Sequence, residues 1–360
     1  MAMVAASLTV AWVCLLTVMW QQKDLAADSR YTEILARIKG PLAYDDPVLL
    51  ELITSEYLLH PPPDGAVVTL TRDKHTAGAS IYDSYRRMDY SYEDLQKIIR
   101  NIFKNVNNGF FVEAGAVDGE FLSNTLDLEI HQNWTGLLVE ADGDMFRHLT
   151  KRGRHTWSCH CCLSTVNHPH REVLIKYSSN KEGDQNKAMY ARAHGSLASA
   201  QEYTPLKIIG IYDDMSKVVP LYESVQCLPL ASLLLALGRT HVDFISLDVE
   251  GVEPLILSSF PWGDITVDVW VVEHLPQQGE SAQPFINIFT SRGYVHAHLA
   301  NTSNYLNPNY FFIRKAAEKY QSFLKETVIL EPSQDMVYSI GGRPPDRGFD
   351  MGYGQNLKIK

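Results

Sequence analysis

Four short apolar runs in this chain end on acidic residues. The run in "GFFVEAGAVDGE" ends at Glu113 and turns through Gly115 and Gly119. "GLLVEADGD" ends at Glu140, 27 residues after Glu113. "DFISLDVEG" ends at Asp248 and Glu250, and "DVWVVEH" at Glu273 and His274. A carboxylate closing a second strand can accept from both hydroxyls of a ribose, and glycines after a first strand let backbone approach a ligand closely. The glycine spacing is G-x-x-x-G, so the middle glycine that lets a pyrophosphate approach is missing, and no G-x-x-x-x-G-K-[ST] phosphate loop occurs. A nucleoside ligand without pyrophosphate fits this pattern, and S-adenosylmethionine is one. Glu113, Gly115, Gly119 and Glu140 are the expected cofactor-binding residues, with Glu113 near the cationic amino-acid end. An ordinary strand-to-helix turn would give "EAGAVDG" by itself.

Strands that carry such residues must end side by side. Apolar runs near 110–114, 136–140, 155–162, 242–248, 265–273, 294–299 and 310–313 are short and often β-branched. Helical stretches near 120–133, 142–150, 229–238, 250–259 and 281–292 separate most of them. Alternation of this kind predicts an α/β fold, Rossmann-like, with a mostly parallel seven-stranded sheet covered on both faces and an antiparallel final strand. Ligands in such folds sit beyond the carboxyl ends of the strands. A further helix is expected in "SYEDLQKIIRNIFKN", opened by Ser91. Residues 23–88 read as juxtamembrane helices and linker, 89–326 as the folded domain, and 327–360 as a tail.

With 360 residues, 45% hydrophobic and 21% charged, the chain can bury a large core. A net charge of −10 without a basic block argues against a nucleic-acid surface, which needs clustered Lys and Arg. Residues 3–20, "MVAASLTVAWVCLLTVMW", carry no charge and would span roughly 27 Å as a helix, close to the bilayer core. A signal-anchor helix over residues 1–22 is expected, with a cleaved signal peptide or a buried N-terminal core helix as the alternatives. Lys23, Arg30, Arg37 and Lys39 follow it, which by the positive-inside rule leaves the globular part in the cytosol. Two glycosylation sequons, at Asn133 and Asn301, point the other way. Cys159, Cys161, Cys162 and Cys227 form an even set compatible either with disulfides in an oxidising lumen or with buried thiols. "HTWSCHCC" lacks the partner motif that a zinc site needs, so no metal set is expected.

The sequence "VDFISLDVEGVEPLILSSF", preceded by "LPLASLLLALG" and followed by "WVVEH", resembles the signature of FkbM-type methyltransferase domains. "VEAGAVDGEFLSNT" and "GLLVEADGDMFRHL" occupy that family's cofactor positions. The fuller wording "FFVEAGAVDGEFLSNTLDLE", "WTGLLVEAD" and "CLS" is similar to the arthropod Star proteins, single-pass membrane proteins with an FkbM-like luminal domain. The resemblance spans about residues 90–315. It implies a luminal domain in endoplasmic reticulum, Golgi and endosomal membranes, which escorts membrane-tethered growth-factor-like precursors from the endoplasmic reticulum to the Golgi. The alternative is an active S-adenosylmethionine-dependent O-methyltransferase of the secretory pathway. Methyl transfer needs an in-line nucleophile and often a general base. Asp248, Glu250 and His274 are the expected catalytic residues, and His194 is a candidate for a lid.

Overall fold

A computed structural model describes residues 42–63, 67–69, 90–179, 192–200, 218–274, 281–297 and 309–326. The expected membrane helix, most of the linker, the tail and Asn301 lie outside these residues. Among the described residues, no helix is long and apolar enough to cross a membrane.

Helix α1 (Pro47–Leu52) is capped by the Asp46 carboxylate, which accepts from the Val48 N–H, and it runs on as a π-helical turn over Ile53–Tyr57. The strands of the main sheet are β1 (Leu58–Leu59), β2 (Phe110–Ala114), β3 (Thr135–Glu140), β4 (Trp157–His160), β9 (His241–Leu247), β10 (Thr266–Glu273), β11 (Tyr294–His296) and β12 (Asn309–Arg314). Their spatial order is β1-β4-β3-β2-β9-β10-β12-β11. Pairing is parallel from β4 through β10, while β12 is antiparallel to both β10 and β11. The seven expected strands are all present. The two-residue β1, antiparallel to β4, makes the sheet eight-stranded rather than seven-stranded. The last strand in sequence inserts between its two predecessors instead of extending the edge.

Alternation along β2 sends its side chains to two cores. Phe110, Val112 and Ala114 pack with Leu49 of α1 and with α5 (Leu230–Ala236), α6 (Glu253–Ser259) and α7 (Gln283–Thr290). Phe111 packs on the other face, with α2 (Tyr90–Phe103), α3 (Leu126–Gln132), α4 (Gly143–Leu149) and α8 (Gln321–Glu326). Helix α2 already includes Tyr90, so Ser91 lies inside it and does not open it.

A second sheet was not expected. It contains β5 (Cys162–Leu163), β6 (His170–Ser179), β7 (Ser196–Leu197) and β8 (Val218–Leu228), in the order β5-β8-β6-β7. A disulfide between Cys162 and Cys227 ties β5 to β8 across 65 residues of sequence, while Cys159 and Cys161 are buried thiols.

Candidate functional site

The carboxyl ends of β2, β3 and β9 meet at one cleft, roofed by the second sheet. Its floor includes Gly115, Glu140, Asp248 and Glu250, and its roof includes Leu174, Arg192 and Leu197. The strand order reverses between β2 and β9, which is where a doubly wound sheet opens a crevice.

Gly115 leaves β2 at φ +85°, in the left-handed region. The N–H groups of Gly115 and Ala116 both donate to the Val139 carbonyl, at 3.0 and 3.1 Å, and Asp248 N–H donates to the Ala114 carbonyl at 3.1 Å. The turn is thereby pinned between β3 and β9. Val117, also left-handed at φ +50°, donates its N–H to Glu140 Oε2 at 2.7 Å. Glu140 Oε1 accepts from Asp142 N–H at 2.7 Å. Burial pushes the Glu140 carboxyl up to about 8. Its oxygens accept from the backbone at Val117, Asp142 and Ala141, which still leaves a carboxylate acceptor site, and the residue lines the cleft.

Glu113 is placed differently from the expectation. It is buried but does not line the cleft. Its oxygens accept from Ser123 Oγ (2.8 Å), Asn124 N–H (2.6 Å) and Thr125 Oγ1 (2.6 Å), so the carboxylate ties down the "FLSNT" segment ahead of α3. Burial pushes this carboxyl up, opposed by Arg154 and by those three donors. Gly119 closes the turn through its N–H to the Ala116 carbonyl at 2.8 Å, and it too lies outside the cleft lining.

Asp248 and Glu250 come to the cleft, with Glu250 left-handed at φ +62°. The residue that holds this loop is Glu253, which sequence reading passed over. Its carboxylate accepts from Val249 N–H at 2.8 Å and Gly251 N–H at 3.0 Å. Burial first, then the charge of Glu273, raise it to about 7. Helix α6 starts at Glu253, so Asp248 lies too far upstream to be its capping acid. Glu273 joins the site as well: one carboxylate oxygen from each of Asp248, Glu250 and Glu273 lies within 4.8 Å of the others. This trio has the donor set for a cation.

His274 is not among the cleft-lining residues. Its ring stacks on Phe285 at 4.1 Å, and burial lowers it to about 4, so the imidazole is neutral at neutral pH. His194 lies in the roof segment, with Nδ1 3.9 Å from Glu250 Oε1. Arg192 holds that segment to the floor, donating to Asp142 Oδ2 at 2.7 Å, and Lys176 reaches Asp142 Oδ1 at 3.0 Å. Burial pushes the Asp142 carboxyl up, and the bonds from Arg192 and Lys176 more than reverse it, so it titrates below the usual carboxylate range. Asn133 is exposed at the left-handed C-cap of α3, beside the buried Trp134.

The family model for the methyltransferase FkbM domain matches residues 113–296. The chain belongs to this family. The matched FkbM segment begins at Glu113 and includes the whole cleft floor and the second sheet. No curated protein matches the chain. Solved structures similar to it include the precorrin-6y C5,15-methyltransferase of Geobacter metallireducens, at 10% identity and TM-score 0.29, covering 61% of this chain and 86% of that one. Another is a SAM dependent methyltransferase from Aquifex aeolicus, at 10% identity and TM-score 0.29, covering 65% and 96%. The methyltransferase-like fold follows from the family match.

Proposed function

We propose that the FkbM domain binds S-adenosylmethionine in this cleft and transfers its methyl group to an oxygen nucleophile. The observation that carries this reading is Glu140, a buried acid at the end of β3 that lines the cleft with acceptor capacity to spare. When bound, S-adenosylmethionine supplies an electrophilic methyl group on a sulfonium. Glu140 would accept from the ribose hydroxyls. Asp248, Glu250 and Glu273 would face the cationic end and the incoming nucleophile, where one carboxylate can take the acceptor's proton. Arg192 and Leu197, which line the roof, would limit the access of water to the reacting atoms. Calorimetry of the intact chain with S-adenosylmethionine tests the reading. Saturable heat that Glu140→Ala abolishes supports it, and no heat up to millimolar cofactor sinks it.

A second reading concerns where the domain works. The Cys162–Cys227 bridge and the exposed sequon at Asn133 favour a luminal domain behind an N-terminal anchor, because disulfides persist in oxidising compartments. On this reading the protein is Star-like, and it escorts membrane-tethered growth-factor-like precursors from the endoplasmic reticulum to the Golgi. A glycosidase-sensitive mobility shift lost in Asn133→Gln and Asn301→Gln would support the topology, and an unshifted chain in secretory membranes would refute it. Co-capture with a tethered precursor, together with its retention after knockout, tests the escort role. Unimpaired export would count against it.

A further inference from the structure

β4 ends at His160, β5 begins at Cys162, and the chain bends at Cys161 between them. Residues two apart on a strand share a face. The bend draws such a pair together, and the Cys159 thiol lies 3.0 Å from Cys161 Sγ. Both residues are buried, at 0% and 1% exposure, so neither is open to a protein oxidant from the surface. Cys161, however, is among the residues that line the cleft, which brings a small molecule entering there next to it. Its N–H also donates to the Glu140 carbonyl at 3.2 Å, which couples this corner to the cleft floor.

We propose that Cys159 and Cys161 are a redox pair that closes to a second disulfide, with hydrogen peroxide entering through the cleft as the oxidant. In the first step the Cys161 sulfur, having lost its proton, attacks one peroxide oxygen. An S–O bond forms, the O–O bond breaks, and the departing oxygen leaves as water, giving a sulfenic acid. The Cys159 sulfur then attacks Cys161 Sγ. The S–S bond forms, the S–O bond breaks, and a second water leaves. Two thiols lose two electrons in total, and one peroxide is reduced to two waters. Burial and the neighbouring Cys159 push the Cys161 thiol well up, so the first step is slow at neutral pH and quickens as pH rises. The pair is independent of the methyl-transfer reading, since it needs only access through the cleft.

The test treats the native full-length chain with hydrogen peroxide, alkylates it in denaturant with iodoacetamide, and maps the cysteine peptides by fragmentation mass spectrometry. The expected product has Cys159 and Cys161 unalkylated and lighter by two hydrogens, with Cys162 still bridged to Cys227 and the change reversed by dithiothreitol. A chain isolated already in that state, and opened by dithiothreitol, gives the same support. In Cys159→Ser the reaction stops at a Cys161 sulfenic acid that dimedone captures. Full alkylation of both sulfurs after peroxide overturns the proposal. So does wild-type Cys161 running on to sulfinic acid, or linkage of either sulfur to Cys227.

Discussion

A β-carbon added at Gly115 would lie 1.9 Å from the carbonyl oxygen of Asp248. Two strand ends that both serve the cleft therefore touch through bare backbone, and no larger residue fits between them. Gly115→Ala meets this contact and a left-handed φ together. We expect it to cost about 3 kcal/mol or more, because backbone rather than a side-chain tip must move. Urea unfolding measures this, and a loss under about 1 kcal/mol would show that the two strand ends separate easily.

Glu140 makes stability depend on pH in a definite direction. Its carboxyl is held at about 8 in the folded chain against 4.5 ordinarily, so the folded state keeps a proton that the unfolded state releases. Stability then falls as pH rises through that window and levels off above it. Glu253, held at about 7, acts in the same sense. His274, lowered to about 4, acts in the opposite sense, but only below its ordinary value of 6.5. The interval between pH 6.5 and 8 is therefore the clear one. The thermal midpoint of the ligand-free chain should drop across it, and Glu140→Gln should shallow the slope. A wild-type midpoint that holds or climbs over that interval would contradict the burial argument.

Glu113→Gln separates a structural acid from a ligand-binding one. The carboxylate serves three donors in its own turn, and an amide can accept only through its single oxygen. A loss of about 2–3 kcal/mol in unfolding free energy is expected, with cofactor affinity changed only as far as the turn loosens. An equally stable variant that loses cofactor binding would put Glu113 in the ligand pocket after all.

The Cys162–Cys227 bridge closes 65 residues of sequence. On loop-closure grounds, replacing both cysteines by serine should cost about 4 kcal/mol, chiefly by freeing the unfolded chain. Chemical denaturation of the double variant against the oxidised protein checks this. Equal midpoints would mean that the strand pairing of β5 with β8 holds the second sheet without a covalent link.

Much of the main sheet was legible because its strands are buried on both faces and carry short unbroken apolar runs, as "VWVV" does in β10. The second sheet was hidden by its chemistry. In β6 the buried Lys176 interrupts the alternation and is accommodated only because Asp142 and Glu223 receive its charge. In β8, Pro220 reads as a strand breaker. Spacing also located acids at strand ends without telling which way each side chain turns. It picked His274 where Glu273 joins the carboxylates, and it assigned to a ligand the carboxylate of Glu113, which its own turn takes up. Glu253 left no signal beyond its place at the start of an expected helix.

The two-residue strand β1 has a consequence for how copies of this chain behave toward one another. Leu58 and Leu59 cover the outer edge of β4 through Cys159 and Ser158, and at the far edge β11 is only three residues long. Short outer strands offer little template for sheet-to-sheet growth. A chain trimmed to begin beyond His60 would leave the ladder of Trp157–His160 open to a neighbouring molecule. The segment ahead of the methyltransferase fold therefore also protects the sheet against aggregation.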